Sequence, residues 1–142
     1  MTGEREPSPE WCSLRLRFDE RELVLLKGAE RLRGANFAHT PRPDVLRTAL
    51  SLARAGHKIG GALPGGSVSL EQTELALLIE AARFAGQEVQ WATRTPNGAD
   101  ATRRDAVLAA FPELVEKGVW RSFGLHRELE AVAARLQAAL NA

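Results

Sequence analysis

Residues 14–18, Leu-Arg-Leu-Arg-Phe, alternate apolar and basic, so Leu14, Leu16 and Phe18 share one face and Ser13, Arg15 and Arg17 the other. A period of two predicts a short amphipathic strand. The period then changes. Asp19 can accept the free N–H groups of a first helical turn, and Glu22 three residues on completes a capping box. A helix is predicted over 20–33, with Leu25, Leu26, Ala29 and Leu32 on its apolar face, Leu23 beside them and Gly34 as its stop. After a loop with Asn36 and Pro41, Pro43 and Asp44 suit the first turn of a second helix over 44–55. Val45, Leu46, Ala49, Leu50, Leu52 and Ala53 make that helix broadly apolar, and Gly56 is read as its end.

A glycine-rich connector over 57–67 divides the chain, and the same order then starts again. Residues 68–70 suit a short strand, and a long helix to about residue 93 carries Leu75, Leu78, Ile79, Ala82, Ala85 and Val89 along one stripe. Laid over residues 16–34 at an offset of 52, residues 68–86 match at seven of nineteen positions, among them Glu22/Glu74, Leu23/Leu75, Leu26/Leu78 and Gly34/Gly86. This suggests an internal duplication; two helices of similar patterning are the alternative. Shorter helices follow over 101–111 and 112–117, then a last one whose Leu125, Leu129, Val132, Leu136 and Leu140 form a coiled-coil-like stripe. Such a stripe buries against its own domain or against a partner chain.

The expected organisation is therefore a loose tail over 1–10 and one compact, mainly helical domain over 11–142 with one or two short strands. Within it, a strand-helix-loop-helix unit over 13–56 recurs over 68–118, and a C-terminal helix occupies 122–142. A chain of 142 residues is long enough to bury one core without staples.

Composition narrows the chemistry. One cysteine, Cys12, allows no intrachain disulfide, and His39, His57 and His126 lack ligand spacing, so no metal is expected. The glycines at 61 and 66 have the separation of a phosphate loop, but Ser67 stands where its lysine belongs, and no nucleotide or other cofactor is expected. No serine has a local His and Asp arrangement to activate it, and the chain is read as non-enzymatic. There is neither a signal-peptide core near the N-terminus nor an apolar run of about 18 residues, so the expectation is a cytoplasmic protein without a membrane span. Net charge is +1, divided as +3 over residues 1–58 and −2 over residues 59–142.

Residues 14–26, Leu-Arg-Leu-Arg-Phe-Asp-Glu-Arg-Glu-Leu-Val-Leu-Leu, followed by Arg-Pro-Asp-Val-Leu-Arg-Thr-Ala-Leu over 42–50, resemble the ribbon-helix-helix family of bacterial DNA-binding regulators. The likeness covers about residues 13–55. It implies that paired strands enter the major groove with Ser13, Arg15 and Arg17 as base readers, and that the second helix starts near a phosphate. Two copies pair their strands in that family, which implies a homodimer here, or, given the repeat, a ribbon formed by both strands of one chain. The chain departs from the family in its longer loop over 35–42, in Asp44, and in Ser67 and Ser69 where a second pair of arginines would stand. The competing expectation is a helical adaptor or assembly subunit that meets a protein partner, or a second copy, through Trp120 and the stripe Leu125, Leu129, Val132 and Leu136.

Overall fold

The computed structural model describes residues 13–40, 42–94, 100–117 and 123–142. The tail over 1–10, Trp11, Cys12, Trp120 and the expected helix stop at Gly118 lie outside the described residues. In chain order the elements are β1 (Ser13–Arg17), α1 (Glu20–Phe37), α2 (Pro43–Gly60), β2 (Ser67–Glu71), α3 (Gln72–Arg94), α4 (Ala101–Ala110), α5 (Glu113–Lys117) and α6 (Phe123–Asn141). The molecule is mainly helical with one two-stranded antiparallel sheet, and the order strand, helix, helix occurs twice.

α3 is the axis of the packing, with α6, α1, α2 and α4 all against it. Its predicted stripe, Leu75, Leu78, Ile79, Ala82, Ala85 and Val89, is buried throughout. From α1 come Leu23, Leu25, Leu26, Ala29 and Leu32, from β2 Val68 and Leu70, and from the junction after β1 Phe18, joining one continuous core. Each fully buried leucine stabilises the fold by about 1.5–3 kcal/mol, so this shared core binds both halves together.

Two glycines read as helix stops are not stops. α1 runs through Gly34 to Phe37, where Arg33 stacks between Phe37 and Phe84, 4.4 and 4.5 Å from the ring centroids. α2 runs through Gly56 to Gly60 because α1 crosses it there: the Glu30 side chain occupies the space that a Cβ on residue 56 would need. Gly56 thus serves close approach rather than termination. The same crossing half-buries Glu30, and desolvation raises its carboxyl pKa above the usual value. Of the six positions that make α2 broadly apolar only Leu52 is buried, together with Ala55 and Ile59.

Ion pairs tie the helices together at the surface. Arg21 forks onto Glu113 and Glu128, at 2.7 and 2.8 Å, and so joins α1 to α5 and α6. Arg103 of α4 pairs with Glu88 of α3 and stacks 4.0 Å over the ring of Trp91, which packs against the core.

Candidate nucleic-acid interface

β1 and β2 pair within the one chain: Ser13 faces Glu71, Leu14 faces Leu70, Arg15 faces Ser69, Leu16 faces Val68 and Arg17 faces Ser67. Side chains alternate across a strand, so this register sorts the ribbon into two faces. Leu14, Leu16, Val68 and Leu70 point to the core, while Arg15, Arg17, Ser67 and Ser69 are exposed on the other side. Read along its length, the outer face runs from Ser13 and Glu71, through Arg15 and Ser69, to Arg17 and Ser67. Guanidinium groups therefore stand at the middle and at one end, and a carboxylate at the other end.

The register agrees with the 52-residue offset found in the helices. Leu16 faces Val68, its own counterpart; Arg15 faces Ser69, the counterpart of Arg17; and Arg17 faces Ser67, the counterpart of Arg15.

The strand ends are fixed in matching ways. Where β1 leads into α1, the Asp19 N–H donates to Glu22 Oε1 at 3.1 Å and the Glu22 N–H donates to Asp19 Oδ1 at 2.7 Å. Where β2 leads into α3, the Glu71 N–H donates to Glu74 Oε1 at 2.8 Å, the same bond at the same offset. Each glutamate also holds a cation from elsewhere. Arg135 of α6 pairs with Glu22 and donates to the Arg17 carbonyl at 2.9 Å, and Lys58 of α2 pairs with Glu74 at 2.7 Å. At the Arg17 end, Gly65 takes a positive φ of 79° and its N–H donates to the Phe18 carbonyl at 2.8 Å, setting β2 beside β1.

These contacts separate two kinds of arginine. Arg21, Arg33, Arg103 and Arg135 are held by carboxylates of other elements. Among the described residues neither Arg15 nor Arg17 has a side-chain hydrogen bond or ion pair, so both guanidinium groups are open to a partner on a ribbon whose backbone is fixed. The sequence identified Ser13, Arg15 and Arg17 as one face, and the structure brings Ser67, Ser69 and Glu71 to the same face. Glu71 was missed, because it had been read as the first residue of a helix rather than the last of a strand.

The other expected surface is corrected. Leu125, Leu129, Val132 and Leu136 are buried, and α6 lies along α3 of its own chain. Of the two ways to cover such a stripe, the structure takes the intrachain one. The start of α2 is exposed, with Asp44 and no side-chain cap from Arg42. A cleft of about 300 Å³ lies between α1, α3 and α4, but its Arg103 and Glu88 bind one another and Asn36 accepts from Arg33. Among the described residues no group of three His, Cys, Asp or Glu side chains is placed to hold a metal ion, and no helix is long and apolar enough to cross a membrane. No family model matches the chain, and neither the curated proteins nor the solved structures give a significant match.

Proposed function

We propose that the ribbon formed by β1 and β2 is a DNA-reading element and that the protein is a non-enzymatic, sequence-specific DNA-binding regulator. The observation that carries this reading is the in-chain antiparallel pairing, which puts Arg15 and Arg17 beside Ser67 and Ser69 on one exposed face. The major groove, about 12 Å wide, admits a two-stranded ribbon. An arginine there can donate two hydrogen bonds to O6 and N7 of guanine, whereas a serine bonds to several bases without strong preference.

With both strands in one chain, a single copy suffices for binding. The uneven face favours a non-palindromic site: guanines under Arg15 and Arg17, and weaker selection under Ser67 and Ser69. Glu71 disfavours nearby phosphates and can accept from a cytosine N4 amino group. On random-sequence duplex, where these two unpaired cations meet phosphates rather than selected bases, log K should fall with log salt with a slope of roughly −2.

Fluorescence anisotropy on labelled random-sequence duplex DNA at two salt concentrations tests the reading, comparing the natural chain with an Arg15→Ala, Arg17→Ala variant. Binding that weakens with salt and is lost in the variant is expected. Absence of binding at low salt, or equal binding by the variant, would falsify it.

A further inference from the structure

The sequence makes α2 broadly apolar, and the structure divides its apolar residues into two stripes of which only one is used. Leu52, Ala55 and Ile59 face the core. At 100° per residue, the opposite side carries Pro43, Leu46, Leu50, Ala53 and His57, all exposed, with Leu46 and Leu50 at 53% and 66%. Their spacing, three then four then three then four, is that of a coiled-coil seam.

The flanks of this seam state which partner fits. Arg47 and Arg54 are seven residues apart on one side, both exposed, and Arg42 precedes the helix. Arg54 Nη2 donates to Ser51 Oγ at 3.1 Å, and these two residues with Arg47 and Leu50 line a shallow hollow in the helix surface. The single carboxylate on α2, Asp44, stands off the seam and approaches Arg42 at 3.9 Å. Residues flanking a helical seam set partner choice through charge. Antiparallel self-pairing here would bring Arg47 and Arg54 of one copy against those of the other, which opposes a homodimer through this face. An interfacial membrane helix needs a broad apolar face, and this one offers two large side chains.

We propose that the outer face of α2 docks an acidic amphipathic helix of a partner protein, with apolar side chains against Leu46 and Leu50 and glutamates or aspartates against Arg47 and Arg54. The residues of this face are distinct from Arg15 and Arg17 of the ribbon, so the two surfaces can be altered separately.

The test uses a fluorescein-labelled synthetic helix of about three heptads with a leucine and alanine seam flanked by glutamates, and the same peptide with lysines in place of the glutamates. Anisotropy is read on the full chain. The glutamate peptide is expected to bind in the micromolar range, with affinity reduced about tenfold or more in a Leu46→Ser, Leu50→Ser variant. An Arg47→Glu, Arg54→Glu variant is expected to prefer the lysine peptide, because the flanking charge has been reversed. Both variants alter exposed residues and should keep the circular dichroism of the natural chain. The Arg15→Ala, Arg17→Ala variant should bind the glutamate peptide unchanged.

Four results each overturn the proposal. They are absence of binding up to about 1 mM peptide, equal binding of the two peptides, binding that survives the serine substitutions, and binding lost with the ribbon arginines. Tighter capture by phosphatidylserine vesicles that depends on Leu46 and Leu50 would reassign the face to a membrane. A dimer in sedimentation that the serine substitutions dissolve would reassign it to a second copy.

Discussion

The two strand-helix-helix units begin alike and are finished differently. Both start with a strand of the same ribbon, and in both a glutamate three residues beyond the strand-to-helix junction closes the same backbone bond. Unit two is then covered: α6 lies along α3, and the second unit's strand carries Ser67 and Ser69. Unit one keeps its charge and much of its surface, with Arg15 and Arg17 on the ribbon and Leu46 and Leu50 on α2 all exposed. The two units therefore differ in what they leave open: α3 of unit two supplies the centre of the core, and unit one packs against it through α1 and one side of α2 while the outer faces of β1 and α2 stay exposed.

The strongest way to break this comparison is to truncate one leucine on each side of it. Leu129 on α6 is fully buried, and Leu129→Ala should cost about 2–5 kcal/mol, the lost burial plus a cavity. Leu50→Ala on α2 should change stability by less than about 0.5 kcal/mol. Urea unfolding of both variants checks this. Equal losses would mean that the outer face of α2 is core after all.

Next in size is the pair of capping glutamates. Glu74 is 1% exposed, holding both the Glu71 N–H and Lys58, whereas Glu22 is less deeply placed with Asp19 N–H and Arg135. Removing a buried acceptor leaves donors unsatisfied, so Glu74→Ala should cost about 1–3 kcal/mol. Glu22→Ala should cost about 1 kcal/mol, as for loss of a helix cap near the surface. The reverse order in thermal unfolding would place the better-anchored junction in unit one.

A third experiment makes the units more alike. Ser67→Arg with Ser69→Arg would give the ribbon arginines on both strands, and the salt dependence of DNA binding should steepen by about two. Affinity for random duplex should rise, and a selected site should become more symmetric. If salt dependence and affinity stay as they were, the outer face of the ribbon does not approach DNA.

Much of this architecture was legible because periodicity is local. The alternation over 14–18 and the stripes from Leu23 to Leu32 and from Leu75 to Val89 each state which side of an element is apolar, and those sides are buried. The repeat offset is compatible with the strand register but does not itself state which strands pair. What periodicity cannot state is who covers a face. The α6 stripe satisfies the same pattern whether α3 or a second chain lies on it. The glycines failed for a related reason: Gly56 lies where the Glu30 side chain arrives from another helix, and no local pattern distinguishes close approach from a helix end. In α2 the two opposed stripes summed to an apolar segment, and only separating Leu52, Ala55 and Ile59 from Leu46, Leu50 and Ala53 reveals the exposed one.

Glu30 gives the smallest test of the same contrast. At the 52-residue offset its counterpart is Ala82, fully buried in α3, so unit one places a carboxyl where unit two places a methyl group. Burial raises the Glu30 pKa in the folded chain above its unfolded value, so the folded state holds its proton more tightly. The sign follows from this. Below the ordinary carboxyl value of about 4.3 the group is neutral in both states and contributes no penalty. As pH rises through that value toward the raised one, the unfolded chain ionises first and stability falls. Above the raised value the penalty is complete. Glu30→Gln removes it, so the variant should match the natural chain in acid and exceed it at neutral pH. Glu30 is partly open to solvent, which limits the gain to a few tenths of a kcal/mol. Urea midpoints measured in parallel from acid to neutral pH should diverge in favour of the glutamine variant. A variant less stable at neutral pH would mean that the ionised carboxylate is held by a favourable contact at the α1–α2 crossing, and that unit one is as well satisfied there as unit two.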